Sequence, residues 1–268
     1  MDRWRTYDRV AETYERVHAP RMSEVARDLV AFAGVKQGDR VLDVGTGTGV
    51  ATEAAVEAAG PSGSAVGVDV SLPMLLQAAK ARPQIHVAAA EAIDLPFRDG
   101  TFDVVTASFV VSHFTRYQTA LFDILRVLRP GGRFAMSSWA DKPDLLQRTW
   151  TELVETTVGT GLVADARRQT VPWADRFADR HEIEETLIDA GLQRIRTERQ
   201  EYKFVYALDD FVEGLGTWST GRFVHSMLDD DGWKRFQVRA REIFFDRFAD
   251  PVNDFREVWL AVGTKPMP

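Results

Sequence analysis

The sequence predicts an α/β fold, a doubly wound parallel sheet, and three observations predict it. Short apolar segments suited to buried strands, at 40–45, 65–69, 85–90, 104–108 and 133–139, alternate with longer helix-forming segments. The first strand runs straight into a glycine-rich turn, Gly45-Thr46-Gly47-Thr48-Gly49, and a run of helix formers from Val50 to Ala59 follows, closed by Gly60-Pro61. The second strand ends in Asp69, placing a carboxylate at the carboxyl end of a buried strand, where open α/β sheets gather their ligands.

Taken in order, residues 4–33 read as two helices with a break at Pro20, the second carrying Val25, Leu29, Val30 and Phe32 on its apolar face. The first contains Tyr7 and Tyr14, which are seven apart and so share one helical face, either for core packing or to meet a ligand. Gly38-Asp39 ends this arm. After Asp69 a helix begins at 71 or 72 and brings Met74 into its first turn. The third strand is followed directly by Glu91-Ala92. Residues 95–103 form a turn into the fourth strand, beyond which His113 lies five residues past Ser108. A helix at 118–128 stops at Arg129-Pro130-Gly131-Gly132 before the fifth strand. Helices at 145–158 and 182–190 precede a long strand at 195–206, and a last strand lies near 255–262. Between those strands, 208–248 reads as a helical insertion whose Phe211, Leu215, Trp218, Phe223, Met227 and Trp233 either pack or roof a substrate pocket. The expected organisation is one domain over 1–268, with a helical arm at 1–38, a cofactor-binding core at 39–140, and the rest of the sheet with its cap at 141–268.

Composition narrows the function. With 33 basic against 40 acidic residues and a net charge of −7, the chain lacks the electrostatic footprint of a nucleic-acid binder, and anionic membranes are equally unsuited partners. It contains no cysteine, which excludes disulfides and thiolate metal sites, and no histidine–acid spacing matches a metal site. The first twenty residues are rich in charge with no apolar signal core, and no run approaches the ~20 apolar residues of a membrane span. The cytoplasm is the expected compartment. The oligomeric state is left open, a homodimer included.

Glycine lets the loop at 45–49 take positive φ and lets a ligand approach the unpaired amides of the following helix. A dinucleotide is a poor fit, because the third small residue of its G-x-G-x-x-G/A fingerprint is here Val50. Asp43, Asp69 and Glu91 together would repel a pyrophosphate but suit a sulfonium and an ammonium group. The glycine pattern alone is a weak signal.

Five motifs in fixed order strengthen it: Asp43-x-Gly45-x-Gly47-x-Gly49, Asp69-x-Ser71-x-x-Met74-Leu75, Glu91-Ala92-x-x-Leu95-Pro96-Phe97, Phe102-Asp103-Val104-Val105 and Leu128-Arg129-Pro130-Gly131-Gly132. Together with Tyr7–Tyr14 they resemble the class I S-adenosylmethionine-dependent methyltransferases, in particular the small-molecule branch that includes the ubiquinone and menaquinone biosynthesis C-methyltransferases. The resemblance covers residues 4 to about 140. It implies a Rossmann-like seven-stranded sheet of order 3-2-1-4-5-7-6 with strand 7 antiparallel, and S-adenosyl-L-methionine as cofactor. Asp43, Gly45, Thr46, Gly47 and Gly49 would hold the methionine end, helped by the backbone of Ser108. Asp69, with Val70 beside it, would take the ribose hydroxyls, and Met74 one face of the adenine. Glu91, where the commoner pattern has Asp, would accept from the adenine amine while the Ala92 N–H meets a ring nitrogen. Tyr7, Tyr14 and His113 would complete the cofactor site.

The acceptor is expected to be a small, apolar or aromatic molecule, with carbon, oxygen or nitrogen as the methylated atom left open. If the acceptor must lose a proton, His113 is the first candidate base and His225 the second. His18, His86 and His181 read as solvated or structural. Tyr14 could orient the acceptor or cover the sulfonium. Two other readings stay open: a nucleotide-cofactor oxidoreductase, disfavoured by Val50 and Asp43, and a non-catalytic protein that binds S-adenosylmethionine without turnover.

Overall fold

The structure, a computed structural model, describes residues 7–140 and 143–268. The expected start of the arm at residue 4 lies outside the described residues. Seven strands form one sheet: β1 (Arg40–Val44), β2 (Ser64–Asp69), β3 (His86–Ala89), β4 (Phe102–Ser108), β5 (Leu128–Trp139), β6 (Gln193–Tyr206) and β7 (Val252–Thr264). Their order is β3-β2-β1-β4-β5-β7-β6, with β7 antiparallel to both neighbours, as the resemblance implies.

A central parallel strand is covered on both faces, so it must be apolar on both. In β1, Val41 packs with Val25, Leu29, Ala55 and Val104 on one face, while Leu42 and Val44 pack with Val105, Leu121, Ile124 and Phe134 on the other. The first layer is supplied by α2 (Ala19–Phe32) and α3 (Val50–Ala59), the second by α5 (Tyr117–Val127) and α8 (Arg180–Asp189). Helix α4 (Leu72–Ala81) is N-capped by Ser71, whose hydroxyl accepts from the Met74 N–H.

Besides β5, which starts at Leu128 and so takes in Arg129-Pro130-Gly131-Gly132, two helical features differ from the sequence expectation. The arm breaks at His18, between α1 (Ala11–Val17) and α2, and Pro20 sits in the first turn of α2. Proline is tolerated there because its missing N–H would have had no intrahelical partner. Helix α1 also starts after Tyr7, so Tyr7 and Tyr14 do not lie on one helix face. The second feature is an extra helix, α7 (Thr160–Thr170), directly after α6 (Leu145–Val158). Gly159, at φ +97°, turns the chain between them.

The insertion at 208–248 is helical, as expected: α9 (Leu208–Leu215), α10 (Ser219–Met227) and α11 (Asp230–Arg247). Among the described residues no helix is long and apolar enough to cross a membrane. This cap is bolted to the arm. Arg16 pairs with Asp210 at 2.7 Å and Glu213 at 2.5 Å. The His18 ring, only 8% exposed, sits 3.0 Å from the Thr217 hydroxyl and 3.3 Å from the Gly214 carbonyl. Gly214 eases that approach, since a Cβ there would lie 3.0 Å from the ring, tighter than ordinary van der Waals contact.

Burial lowers the His18 pKa to about 4, Arg21 adds to it, and the Gly214 carbonyl opposes. Between about 6.5 and 4 the unfolded chain therefore binds a proton that the folded chain refuses, so stability falls as pH falls through that window. Urea unfolding at about pH 7 and pH 5 should show an acid-induced loss roughly 2 kcal/mol larger in the wild type than in His18→Gln, at 1.36 kcal/mol per unit. Identical pH dependence in the two proteins would show that the joint does not depend on a neutral imidazole.

Candidate active site

The site begins where β1 gives way to the glycine loop. Gly45 and Thr46 donate their N–H groups to the Val68 carbonyl at 2.8 and 3.0 Å, so the loop is pinned to β2 before it turns. Gly45 has φ +72°, and a Cβ there would strike Val110 at 2.3 Å. Gly47, at φ +55°, is different: a Cβ would meet nothing within 4 Å, so this position borders open space. Its N–H donates 2.9 Å to the Asp69 carboxylate.

Asp43 is fully buried and supports this loop from within the sheet. One carboxylate oxygen accepts from the Thr52 hydroxyl on α3 and the other from the Thr106 hydroxyl on β4, both at 2.9 Å. Thr46 and Thr52 share a further 2.7 Å hydrogen bond. Burial raises the Asp43 pKa while the three threonine hydroxyls pull it down.

Asp69 is half-buried. It accepts from the N–H groups of Gly47 and Ser71, each at 2.9 Å, and Val70 contributes a third backbone donor. Burial raises its pKa against those donors. The Ser71 hydroxyl donates 2.7 Å to Asp8, which brings the arm to the end of β2. Met74 is buried one turn into α4. Glu91 is exposed and bridges to Asp94, with Ala92 half-buried beside it. The three carboxylates expected around one crevice thus occupy three environments: Asp43 sealed, Asp69 half-buried in backbone donors, Glu91 at the exposed rim.

At the end of β4, the Ser108 hydroxyl lies 3.2 Å from that of Ser137. Phe109 follows at φ +53°, a strained backbone for a bulky residue. Its N–H donates to Ser137, and its ring stacks on Trp139 with centroids 4.3 Å apart. His113 closes a 3-10 turn, Val111–His113. Its Nδ1 lies 3.2 Å from the Thr170 carbonyl of α7, which fixes that nitrogen as the donor and leaves Nε2 as the acceptor. The Tyr7 ring meets the imidazole edge-on at 6.1 Å. Burial, reinforced by Arg222, lowers the His113 pKa to about 4. Burial also raises the Tyr14 phenol, with Tyr7, Glu15 and Asp69 adding to it, so Tyr14 keeps its proton.

The structure therefore brings Tyr7, Tyr14, Asp69 and His113 together under the cap. It does not bring in His225, whose ring stacks on Trp233 at 4.3 Å and whose pKa is lowered by burial and by Arg9. His86 is exposed, and His181 is exposed beside Glu185. Two arginines that no motif signals complete the site. Arg222 of α10 is 6% exposed with its guanidinium 3.8 Å from the Tyr7 ring centroid. Arg82, 7% exposed, donates 2.9 Å to the Thr48 carbonyl of the loop and pairs with Glu15 of the arm and Glu53 of α3 at the same distance.

Comparison with known proteins bears on this cleft. Residues 7–205 match the profile of the ubiE/COQ5 methyltransferase family. A demethylmenaquinone methyltransferase from Symbiobacterium thermophilum is 35% identical over 138 residues, 48% of this chain and 55% of that protein. This chain thus matches about half the length of that relative. A nocamycin O-methyltransferase from Saccharothrix syringae is 28% identical over 230 residues, 82% of each chain. The phosphoethanolamine N-methyltransferase 2 of Haemonchus contortus, solved with S-adenosyl-L-methionine, superposes with a TM-score of 0.57 over 97% of this chain and 57% of that one. At 17% identity this last likeness concerns the fold alone.

The clash between a Cβ at 45 and Val110 is a testable constraint. Gly45→Ala should cost about 1–3 kcal/mol from overpacking and backbone strain. Val110→Ala in the same chain should recover part of it, and the positive φ should keep the recovery incomplete. Additive losses in the double-mutant cycle, read by denaturant midpoints, would show that the loop and the turn after β4 do not pack as described.

Proposed function

Because the chain belongs to the ubiE/COQ5 methyltransferase family, we propose that it transfers a methyl group from S-adenosylmethionine to a small aromatic acceptor of the quinol type, in the cleft between glycine loop, arm and cap. The observation that carries this reading is the pairing of open space at Gly47 with the Asp69 carboxylate at the end of β2. That pairing fits a ligand whose ribose diol donates to Asp69 while the rest approaches the loop backbone closely. S-adenosylmethionine supplies an electrophilic methyl group on a sulfonium. On this reading the enzyme works in the cytoplasm.

The chain's own residues divide the work. Gly45, Thr46, Gly47 and Gly49, braced by Asp43, and the Ser108 backbone hold the methionine end. Asp69 with Val70 holds the ribose, and Met74, Glu91 and Ala92 the adenine. Tyr7 and Tyr14 cover the cleft from the arm. Phe109 and Trp139 stack on each other just past β4, with the Arg256 guanidinium 4.1 Å over the Trp139 ring. His113, neutral at physiological pH, accepts the acceptor's hydroxyl proton at Nε2.

Transfer of a labelled methyl group from S-adenosylmethionine to a panel of hydroquinones and phenols tests the activity, and product analysis identifies the methylated atom. Asp69→Ala should weaken S-adenosylhomocysteine binding about ten-fold or more, since it removes charge-assisted hydrogen bonds worth roughly 1.5–3 kcal/mol. Unaltered affinity by calorimetry, with the fold intact by circular dichroism, would remove Asp69 from the cofactor site.

His113→Ala should lower kcat by about 10²-fold, the low end for general acid–base catalysis because a base of low pKa is weak, with S-adenosylhomocysteine affinity nearly unchanged. Single-turnover rates against pH should show an acidic limb that the variant loses. A limb that persists unchanged would exclude His113 as the base.

A further inference from the structure

His113 is held from outside its own segment. It closes a 3-10 turn of only three residues, Val111–His113, and so short a turn is marginal alone and leaves its last carbonyl groups without partners inside it. The partners come from one stretch, residues 170–173, at the end of α7. The Trp173 N–H donates to the Ser112 carbonyl at 3.3 Å, and the Trp173 indole N–H donates to the Phe114 carbonyl at 3.0 Å, one on each side of His113. Thr170 is the last residue of α7, so its carbonyl has no partner within the helix, and it accepts from His113 Nδ1 at 3.2 Å. The stretch thus grips the backbone before and after His113 as well as its ring. Pro172, in its middle, fixes one of the intervening dihedrals.

This grip is anchored in the core. The Trp173 carbonyl accepts at 3.0 Å from the N–H of Phe177, which is buried, and the Trp173 indole meets the buried Tyr117 of α5 edge-on at 4.8 Å. Tyr117 packs edge-on against Phe177 in turn, and the Ser138 hydroxyl of β5 donates to the Phe177 carbonyl. The turn that carries His113 is therefore tied through Trp173 to both the sheet and its helical layer.

We propose that Trp173 is the positioning residue for His113, holding the imidazole with Nδ1 on the Thr170 carbonyl so that Nε2 is kept for the acceptor's proton. A neutral imidazole carries its proton on either nitrogen, and only the Nδ1–H form leaves Nε2 with a free lone pair. Loosening the turn opens the other tautomer and other ring orientations, which slows proton transfer far more than it weakens binding. Trp173 acts through His113 alone. This rests on the reading of His113 as the base.

Nitrogen-15 spectra of the histidine rings at about pH 7, where His113 is neutral, test this without an acceptor, its signals being assigned by their loss in His113→Gln. In the wild type His113 should be the Nδ1–H tautomer. Trp173→Phe keeps a ring against Tyr117 but loses the indole donor, and should raise the Nε2–H population about five-fold or more, the factor expected for one neutral hydrogen bond. Single-turnover methylation of those hydroquinones and phenols that the wild type accepts should slow about ten-fold in this variant, with S-adenosylhomocysteine affinity within about two-fold. Trp259→Phe is the control, because it removes a similar bond, from the indole N–H to the Ala178 carbonyl at 2.9 Å, away from the His113 turn. It should leave tautomer and rate as in the wild type. An Nε2–H tautomer in the wild type, an unaltered tautomer ratio in Trp173→Phe, or the same response in Trp259→Phe would overturn the proposal, and the first of these needs no variant to fold. Persistence of the acidic limb in His113→Ala would instead overturn the base reading beneath it.

Discussion

The cleft depends on a carboxylate that never meets water. Asp43 is sealed inside the sheet, and a buried carboxyl is tolerated only when its oxygens are fully hydrogen-bonded. The donors that satisfy it come from three elements, Thr46 in the loop, Thr52 on α3 and Thr106 on β4. Satisfying one group therefore locks the loop, the helix behind it and the neighbouring strand into one arrangement. Gly67 on β2 makes room for this network, since a Cβ there would lie 2.5 Å from the Thr52 hydroxyl. The positive φ of Gly45, Gly47 and Gly49 then follows from a chain that must turn sharply above a fixed point.

The same logic extends outward through Arg82. By holding the Thr48 carbonyl, Glu15 and Glu53 together, it makes arm position and loop position one variable. These contacts are poorly exposed, so water screens them less than it does ordinary surface pairs. On the other flank, Arg16 and His18 tie the arm to the cap, and the cap in turn delivers Arg222 to the cleft. Arm, loop and cap are thereby a single enclosure. Its interior combines a neutral imidazole and a protonated phenol beside a nearly buried arginine.

Much of this was legible in the sequence because it is encoded locally. The glycine loop, its strand and its helix are contiguous, and the alternation of apolar runs with helical stretches places Asp69 and His113 at the same end of the sheet. Asp43 was visible as a residue but not as a brace, since its partners Thr52 and Thr106 lie nine and 63 positions away. The roles of Arg82 and Arg222 arise from packing between distant segments, and nothing in their immediate neighbours marks either residue. Pro20 misled for a simpler reason: as a helix breaker it is ambiguous between ending one helix and starting the next. Helix α7 was hidden by Gly159 and Gly161, which read as a loop although one positive φ suffices to join two helices.

On the proposed function, loop, arm and cap form one cofactor site. Amide hydrogen exchange with and without S-adenosylhomocysteine measures it segment by segment, because a bound ligand slows exchange wherever opening of the site is required. Slowing by about ten-fold or more is expected at 45–49, 69–74, 7–18 and 214–225 together, with the distal end of the sheet unaltered. Slowing confined to the loop and β2, with arm and cap exchanging as before, would contradict it.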